Sequence, residues 1–203
     1  MSNTCEVVIS RYSENIQWIT HINKNVVIYN KGNDMDVSCI KLNNVGRESH
    51  TFLTHILKNY NNIKDSTFFL QGNPFDHCRN IINIINEFKN TQELVCLSDN
   101  IFEESPFFGL EGGPGSFNLI KDSRSNPNYK GPILNDVAAS LGLINCNIFK
   151  FSLGAQYIVP KNLILNKSFN WWLKALEIHQ SFYHAPWFYE RLWYSIFNYD
   201  EIN

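Results

Sequence analysis

The feature that most constrains this chain is a set of short apolar runs set apart by helical patterns. Asn25–Tyr29 carries Val26-Val27-Ile28 with no polar alternation. Such continuous apolarity suits a strand covered on both faces, as in a parallel sheet. Glu6–Ser10 and Thr67–Leu70 repeat the pattern. Between the second and third runs, Phe52, Leu53, Ile56, Leu57 and Tyr60 share one face at helical spacing over Gly46–Tyr60, with Arg47 and Glu48 off that face in the first turn. Strands separated by helices indicate an α/β domain with a mostly parallel sheet flanked by helices. Right-handed crossovers then gather the loops after Ile9, Ile28 and Leu70 at one edge. Open sheets of this kind bind ligands at that edge.

The 203 residues suit one domain, 1–203. Ile16, Trp18, Ile19 and Ile22 suit a helix or turn, Asp76–Phe88 a helix, and Leu94–Leu97 a short strand. Ser105–Gly131 is rich in turn signals and is expected to be irregular, a flexible loop over 105–131. A short helix over Asn135–Leu143 and a strand pattern over Asn147–Val159 follow. Ser168 can cap a helix carrying Trp172, Leu173 and Leu176. Pro186 can open a last helix, Trp187–Phe197, that is apolar almost all round and so buried.

A net charge of −2 without a Lys/Arg cluster argues against nucleic acid as a partner. Met1–Arg11 lacks a signal-peptide pattern, and no apolar stretch is long enough to span a bilayer. The five cysteines are scattered and never form C-x-x-C, which reads as reduced thiols in a cytoplasmic protein.

Several residues can carry chemistry. Arg47, at a helix start after Gly46, joins a guanidinium fork to backbone N–H groups that attract anions. Glu48 beside it suits either the helix dipole or a functional role. Asp76 either caps the helix after Pro74 or, with His77, holds a divalent metal or a sugar hydroxyl. His50 and His55 read as exposed helical residues outside any zinc motif. Asp34-Met35-Asp36 has the D-x-D form but lies in the polar loop after the second strand. Glu190-Arg191, inside the apolar last helix, needs partners. It is either a structural ion pair or places a proton-accepting carboxylate in the cleft. Dinucleotide, P-loop and α/β-hydrolase signatures are absent.

Taken in order, Arg11-Tyr12-x-Glu14 with Trp18, Val27-x-Tyr29-Asn30-Lys31-Gly32, Asn44-Val45-Gly46-Arg47-Glu48 and Phe69-Leu70-Gln71-Gly72-x-Pro74-x-Asp76-His77 resemble the DUF3431 family. Gly154-Ala155-Gln156-Tyr157-x-Val159 and Pro186-x-x-x-Glu190-Arg191-Leu192-Trp193 resemble it as well. The Asn-x-Gly-Arg-acid turn is similar to one in GT-A-type glycosyltransferases. That similarity implies a Rossmann-like, GT-A-like fold and transfer of a sugar from a nucleotide-sugar, UDP-sugars favoured, to a glycan or protein acceptor.

Under that resemblance Arg11, Tyr12, Tyr29 and Lys31 hold base and ribose. Arg47 faces the diphosphate, Asn44 and Arg191 also bind the nucleotide-sugar, Gln71, Asn73 and Asp76 order metal or sugar, and Glu190 is the base for an acceptor hydroxyl. Related enzymes hold Mn²⁺ or Mg²⁺ with a D-x-D, where this chain has Gln71-Gly72-Asn73. Either Asp76 and His77 take over the metal, or Arg47 and Lys31 neutralise the diphosphate directly, or activity is lost. A non-catalytic nucleotide- or glycan-binding module and a metal-dependent hydrolase are the other readings.

Overall fold

The computed structural model describes residues 4–113, 116–143 and 147–199. The first part of the chain builds β1 (Cys5–Arg11), β2 (Asn25–Asn30), β3 (Ile40–Lys41), α1 (Arg47–Asn59), β4 (Ser66–Gln71) and α2 (Ile81–Glu87). Short strands follow: β5 (Val95–Cys96), β6 (Ile101–Glu104), β7 (Gly109–Gly113) and β8 (Ser116–Ile120), then α3 (Leu134–Ser140). The chain closes with β9 (Phe149–Ser152), β10 (Tyr157–Pro160), α4 (Lys161–Leu165), α5 (Phe169–Gln180) and α6 (Ala185–Asn198).

Six strands form a central sheet in the order β3-β2-β1-β4-β10-β5. β1 runs parallel to β2 and β4, and β2 to β3, while β10 is antiparallel to both of its neighbours. Register explains the apolar runs. Val8 pairs with Val27 and Phe69, and Ile9 with Ile28 and Leu70. Val8 and Phe69 belong to a core with Phe52, Trp193 and Phe197 from α1 and α6. Val7, Ile9, Phe68 and Leu70 belong to a second core with Trp18 and with Ile81 and Ile85 of α2. Both faces are covered, so apolar residues fill both sets of alternating positions through the middle of each strand.

From β1 the chain steps to β2 and β3 on one side, and β4 then lies on the other side of β1. The carboxyl ends of β1 and β4 therefore flank a topological switch point, where a crevice opens.

Some expectations are corrected. Asp76–Phe88 is not one helix: a 3-10 turn, Pro74–Asp76, precedes α2, which starts only at Ile81 after Asn80. The stretch expected to be irregular contains the β7–β8 hairpin. Asn147–Val159 is two strands, broken where Gly154 (φ 71°) and Ala155 (φ 53°) turn left-handed. Among the described residues no helix is long and apolar enough to cross a membrane. Cys5, Cys39, Cys78 and Cys96 are free thiols, and Cys146 lies outside the described residues.

α6 is buried nearly all round, as its composition implied. Trp193 is fully buried, with ring centroids 6.0 Å from Phe52 and 5.3 Å from Phe197, tying α6 to α1. Trp193→Ala is expected to cost roughly 3–5 kcal/mol in urea denaturation, the range for large aromatic truncations in cores. A loss within the scatter of surface substitutions would contradict this packing.

Candidate functional site

The switch-point crevice is a polar cleft of about 260 Å³. Its walls come from the strand-end loops, with Ser10, Arg11, Tyr12 and Glu14 after β1, Lys31 after β2 and Gln71 at the end of β4. Asn44, Arg47 and Glu48 close it from the start of α1. The edge marked out by the apolar runs is thus the edge at which these side chains meet.

Arg11 holds two of the loops together. Its Nε donates to Glu14 O at 3.1 Å, and its Nη1 donates to Asn30 Oδ1 at 2.8 Å, to Tyr12 O and to Asn33 O. Glu14 Oε2 accepts from the Tyr12 and Ser13 amides and lies against Gly72, where a Cβ would come within 2.7 Å of it. Trp18 Nε1 donates to Gly72 O at 3.0 Å. The loops after β1, β2 and β4 therefore form one hydrogen-bonded rim. Tyr12 stands on it, half exposed.

The start of α1 is unusual. Gly46 (φ 63°) and Arg47 (φ 48°) are both left-handed. For Arg47 this conformation costs on the order of 1–3 kcal/mol, and such strain concentrates at functional sites. Lys31 holds the turn: its buried Nζ donates to Val45 O at 2.7 Å and also to Arg47 O. An ammonium has three N–H donors, so one is left over. Burial pushes the Lys31 pKa down to about 8, against the pull of Glu48.

Glu48, expected off the core face, is buried at 8% exposure. Burial raises its pKa, Arg47 beside it and Lys31 lower it, and Glu190 adds a repulsion that raises it further. Arg47 Nε lies 3.6 Å from Glu48 Oε2, and its guanidinium also stacks 5.3 Å from the Trp187 ring. Glu190 accepts from the Gly154 amide at 2.8 Å through Oε1, so the second left-handed turn aims it. Glu48, Lys31 and Arg47 thus share one corner of the cleft, an arrangement suited to binding an anion. Glu190, expected in the cleft, does not line it but pairs with Arg191 at 3.5 Å and is near enough to repel Glu48.

Other expected residues lie elsewhere. Tyr29 is fully buried, its hydroxyl 3.2 Å from His55 Nδ1, while His55 Nε2 lies 3.3 Å from Glu6 Oε1. It belongs to a core polar network and not to the cleft. Arg191 pairs with Glu104 at 3.2 Å and stacks on Phe108 at 4.1 Å, which makes it an anchor for α6. Asp76 is exposed in its turn and caps no helix, and Asn73 is half-buried beside it. His77 packs against Gly154, as Gln71 does. Asp34 is exposed and pairs with Lys41. Among the described residues no three of His, Cys, Asp and Glu gather where they could hold a metal.

Sequence reasoning missed the burial of Glu48. It also missed a second cavity of about 670 Å³ beside the cleft, which shares Asn44 and Arg47 with it. His50 and His179 line this cavity and are 9% and 3% exposed. His50, expected at the surface, was masked by its place on a helix whose apolar face lay elsewhere.

Burial lowers the pKa of His50 to about 4 and of His179 to about 3, so both are neutral at pH 7. Below the ordinary histidine pKa of 6.5, the unfolded chain takes up protons that the folded chain refuses. Stability is therefore expected to fall as pH drops from about 6.5 towards 4. His179→Gln should flatten that slope in denaturation curves measured across the range. An unchanged slope would contradict a buried neutral His179.

The model of the family described as protein of unknown function (DUF3431) matches residues 7–112, just over half of the chain. No curated protein and no solved structure matches. The matched span includes every residue that lines the polar cleft. The blocks around Gly154 and Glu190 lie beyond it. The chain belongs to the DUF3431 family.

Proposed function

We propose that this protein is a glycosyltransferase of GT-A-like, Rossmann-like design, with the polar cleft as the nucleotide-sugar donor site. One observation carries the reading. A left-handed turn brings Lys31, Arg47 and the start of α1 together at the switch point of a mostly parallel sheet. That combination of two cations and a helix N-terminus suits a diphosphate. Tyr12, half exposed on the rim, offers a ring for the base, and Gln71 and Asn44 offer amides to sugar hydroxyls.

In the reaction, an acceptor hydroxyl oxygen attacks the anomeric carbon and forms the new C–O bond. The bond from that carbon to the diphosphate oxygen breaks, and its electron pair leaves on the diphosphate. Lys31 and Arg47 stabilise this charge as it develops, which is where such catalysis gains most. The hydroxyl proton passes to a carboxylate, and Glu190 is the candidate base for an inverting transfer, held by the Gly154 amide. The residues do not fit a metal-held diphosphate: Asp76 is exposed, and among the described residues no cleft carboxylates form a D-x-D and no three metal-ligating side chains gather. The Gln71-Gly72-Asn73 sequence favours one second reading, a nucleotide- or glycan-binding module without turnover.

A nucleotide-sugar panel read by thermal shift, with and without Mn²⁺, is the test. At least one donor is expected to raise the melting temperature by linkage, and the gain should shrink as pH rises through 8, where Lys31 loses its charge. Arg47→Gly should relieve the left-handed strain, leaving the free protein at least as stable as wild type while abolishing the shift. No shift with any donor at millimolar concentration would sink the proposal. Binding without transfer or donor hydrolysis would select the non-catalytic reading.

A further inference from the structure

The donor cleft, at about 260 Å³, is the smaller of two neighbouring cavities. The cavity beside it, at about 670 Å³, lies in the usual range for small-molecule sites. The two share Asn44 and Arg47 as walls, so they are neighbours on either side of the start of α1.

The walls of this cavity have a definite chemistry. Trp187 and Tyr183 line it with ring centroids 5.9 Å apart, and the Arg47 guanidinium lies 5.3 Å from the Trp187 ring. Tyr183 is 51% exposed, so an aromatic face is presented to whatever enters. The polar groups opposite are neutral. His50 Nε2 lies 3.4 Å from the Gln180 amide nitrogen, while His50 Nδ1 is buried without a hydrogen-bond partner among the described residues. With Nε2 accepting from Gln180, the proton sits on Nδ1, a buried donor in need of an acceptor. Neither ring nitrogen of His179 has a well-formed hydrogen bond either.

We infer that this cavity binds a neutral sugar ring as the acceptor, stacked on Trp187 and Tyr183 with its hydroxyls bonded to His50 and His179. The assignment of acceptor rests on the transferase reading, whereas binding of a sugar rests on the cavity alone. Hydroxyls both donate and accept, as a neutral imidazole does, so each imidazole can match a hydroxyl whichever tautomer it holds. The apolar face of a sugar ring suits an aromatic platform with a polar edge. Apart from Arg47, whose guanidinium already lies beside Glu48 and the Trp187 ring, the cavity walls carry no charged side chain among the described residues. An anionic ligand therefore has no dedicated partner there.

Saturation-transfer NMR on the full chain tests this with three probes: a panel of neutral mono- and disaccharides, uridine, and UDP. A saccharide is expected to bind at millimolar concentration. Tyr183→Ala and Trp187→Phe should each weaken that binding, the former by about tenfold. His50→Gln, a second route if an aromatic variant misfolds, should weaken it too. UDP binding to Tyr183→Ala serves as the control for the donor cleft. Saccharide binding lost on these substitutions supports the site, whether or not UDP binds, and absence of UDP binding counts only against the transferase reading. No saccharide binding to the wild type, binding indifferent to Tyr183→Ala and His50→Gln, or uridine displacing the saccharide would each overturn the inference.

Discussion

A buried ammonium holds the functional end of this fold in place. Lys31 follows β2 and is only 8% exposed, yet it reaches the carbonyls of Val45 and Arg47 across the cleft. Burying a charge is costly unless it is hydrogen-bonded and near an opposite charge. Here two carbonyls and the Glu48 carboxyl meet that requirement. In return the turn at Gly46-Arg47 is locked in a left-handed form that Arg47 would not adopt unaided. The start of α1 then faces the switch point, and Arg47 can reach both the cleft and Trp187.

The same device recurs at Gly154-Ala155. Two successive left-handed residues break the strand pattern between β9 and β10 and turn the Gly154 amide onto Glu190. At Gly46 a Cβ would meet the His179 ring at 2.3 Å, and at Gly154 it would meet His77 at 2.5 Å. Both glycines therefore combine a backbone requirement with close approach. One turn presents cations and the other aims a carboxylate. Glu48 follows the first turn, and its pKa is raised by burial, against the pull of Arg47, with repulsion from Glu190 adding to the rise.

Much of the frame was legible from particular residues. Val26-Val27-Ile28 and Phe68-Phe69-Leu70 read as strands covered on both faces, and both faces are covered. That alone located the cleft, because the parallel order of β2, β1 and β4 puts their loops at one edge. What escaped was long-range. Nothing local in Tyr157–Pro160 says that this strand inserts antiparallel between β4 and β5. Gly112 and Gly113, strand residues of β7, read as loop because glycine signals a turn and also weakens a strand pattern. Tyr29 looked like a ligand residue because it ends a strand at the right edge, but its side chain faces His55 in the core. Neighbouring strand residues point to opposite faces, so a one-residue difference decides between cleft and core. Arg191 likewise found Glu104, far away in sequence.

The account turns on the corner formed by Lys31, Arg47 and Glu48 being the seat of an anionic ligand. Residue-resolved amide NMR during titration with UDP and with a UDP-sugar tests this most directly. The account predicts saturable shifts concentrated at Ser10–Glu14, Lys31, Asn44–Glu48 and Gln71, with the Glu6–His55 end of the sheet unmoved. Shifts centred elsewhere, or none at saturating ligand, would contradict it.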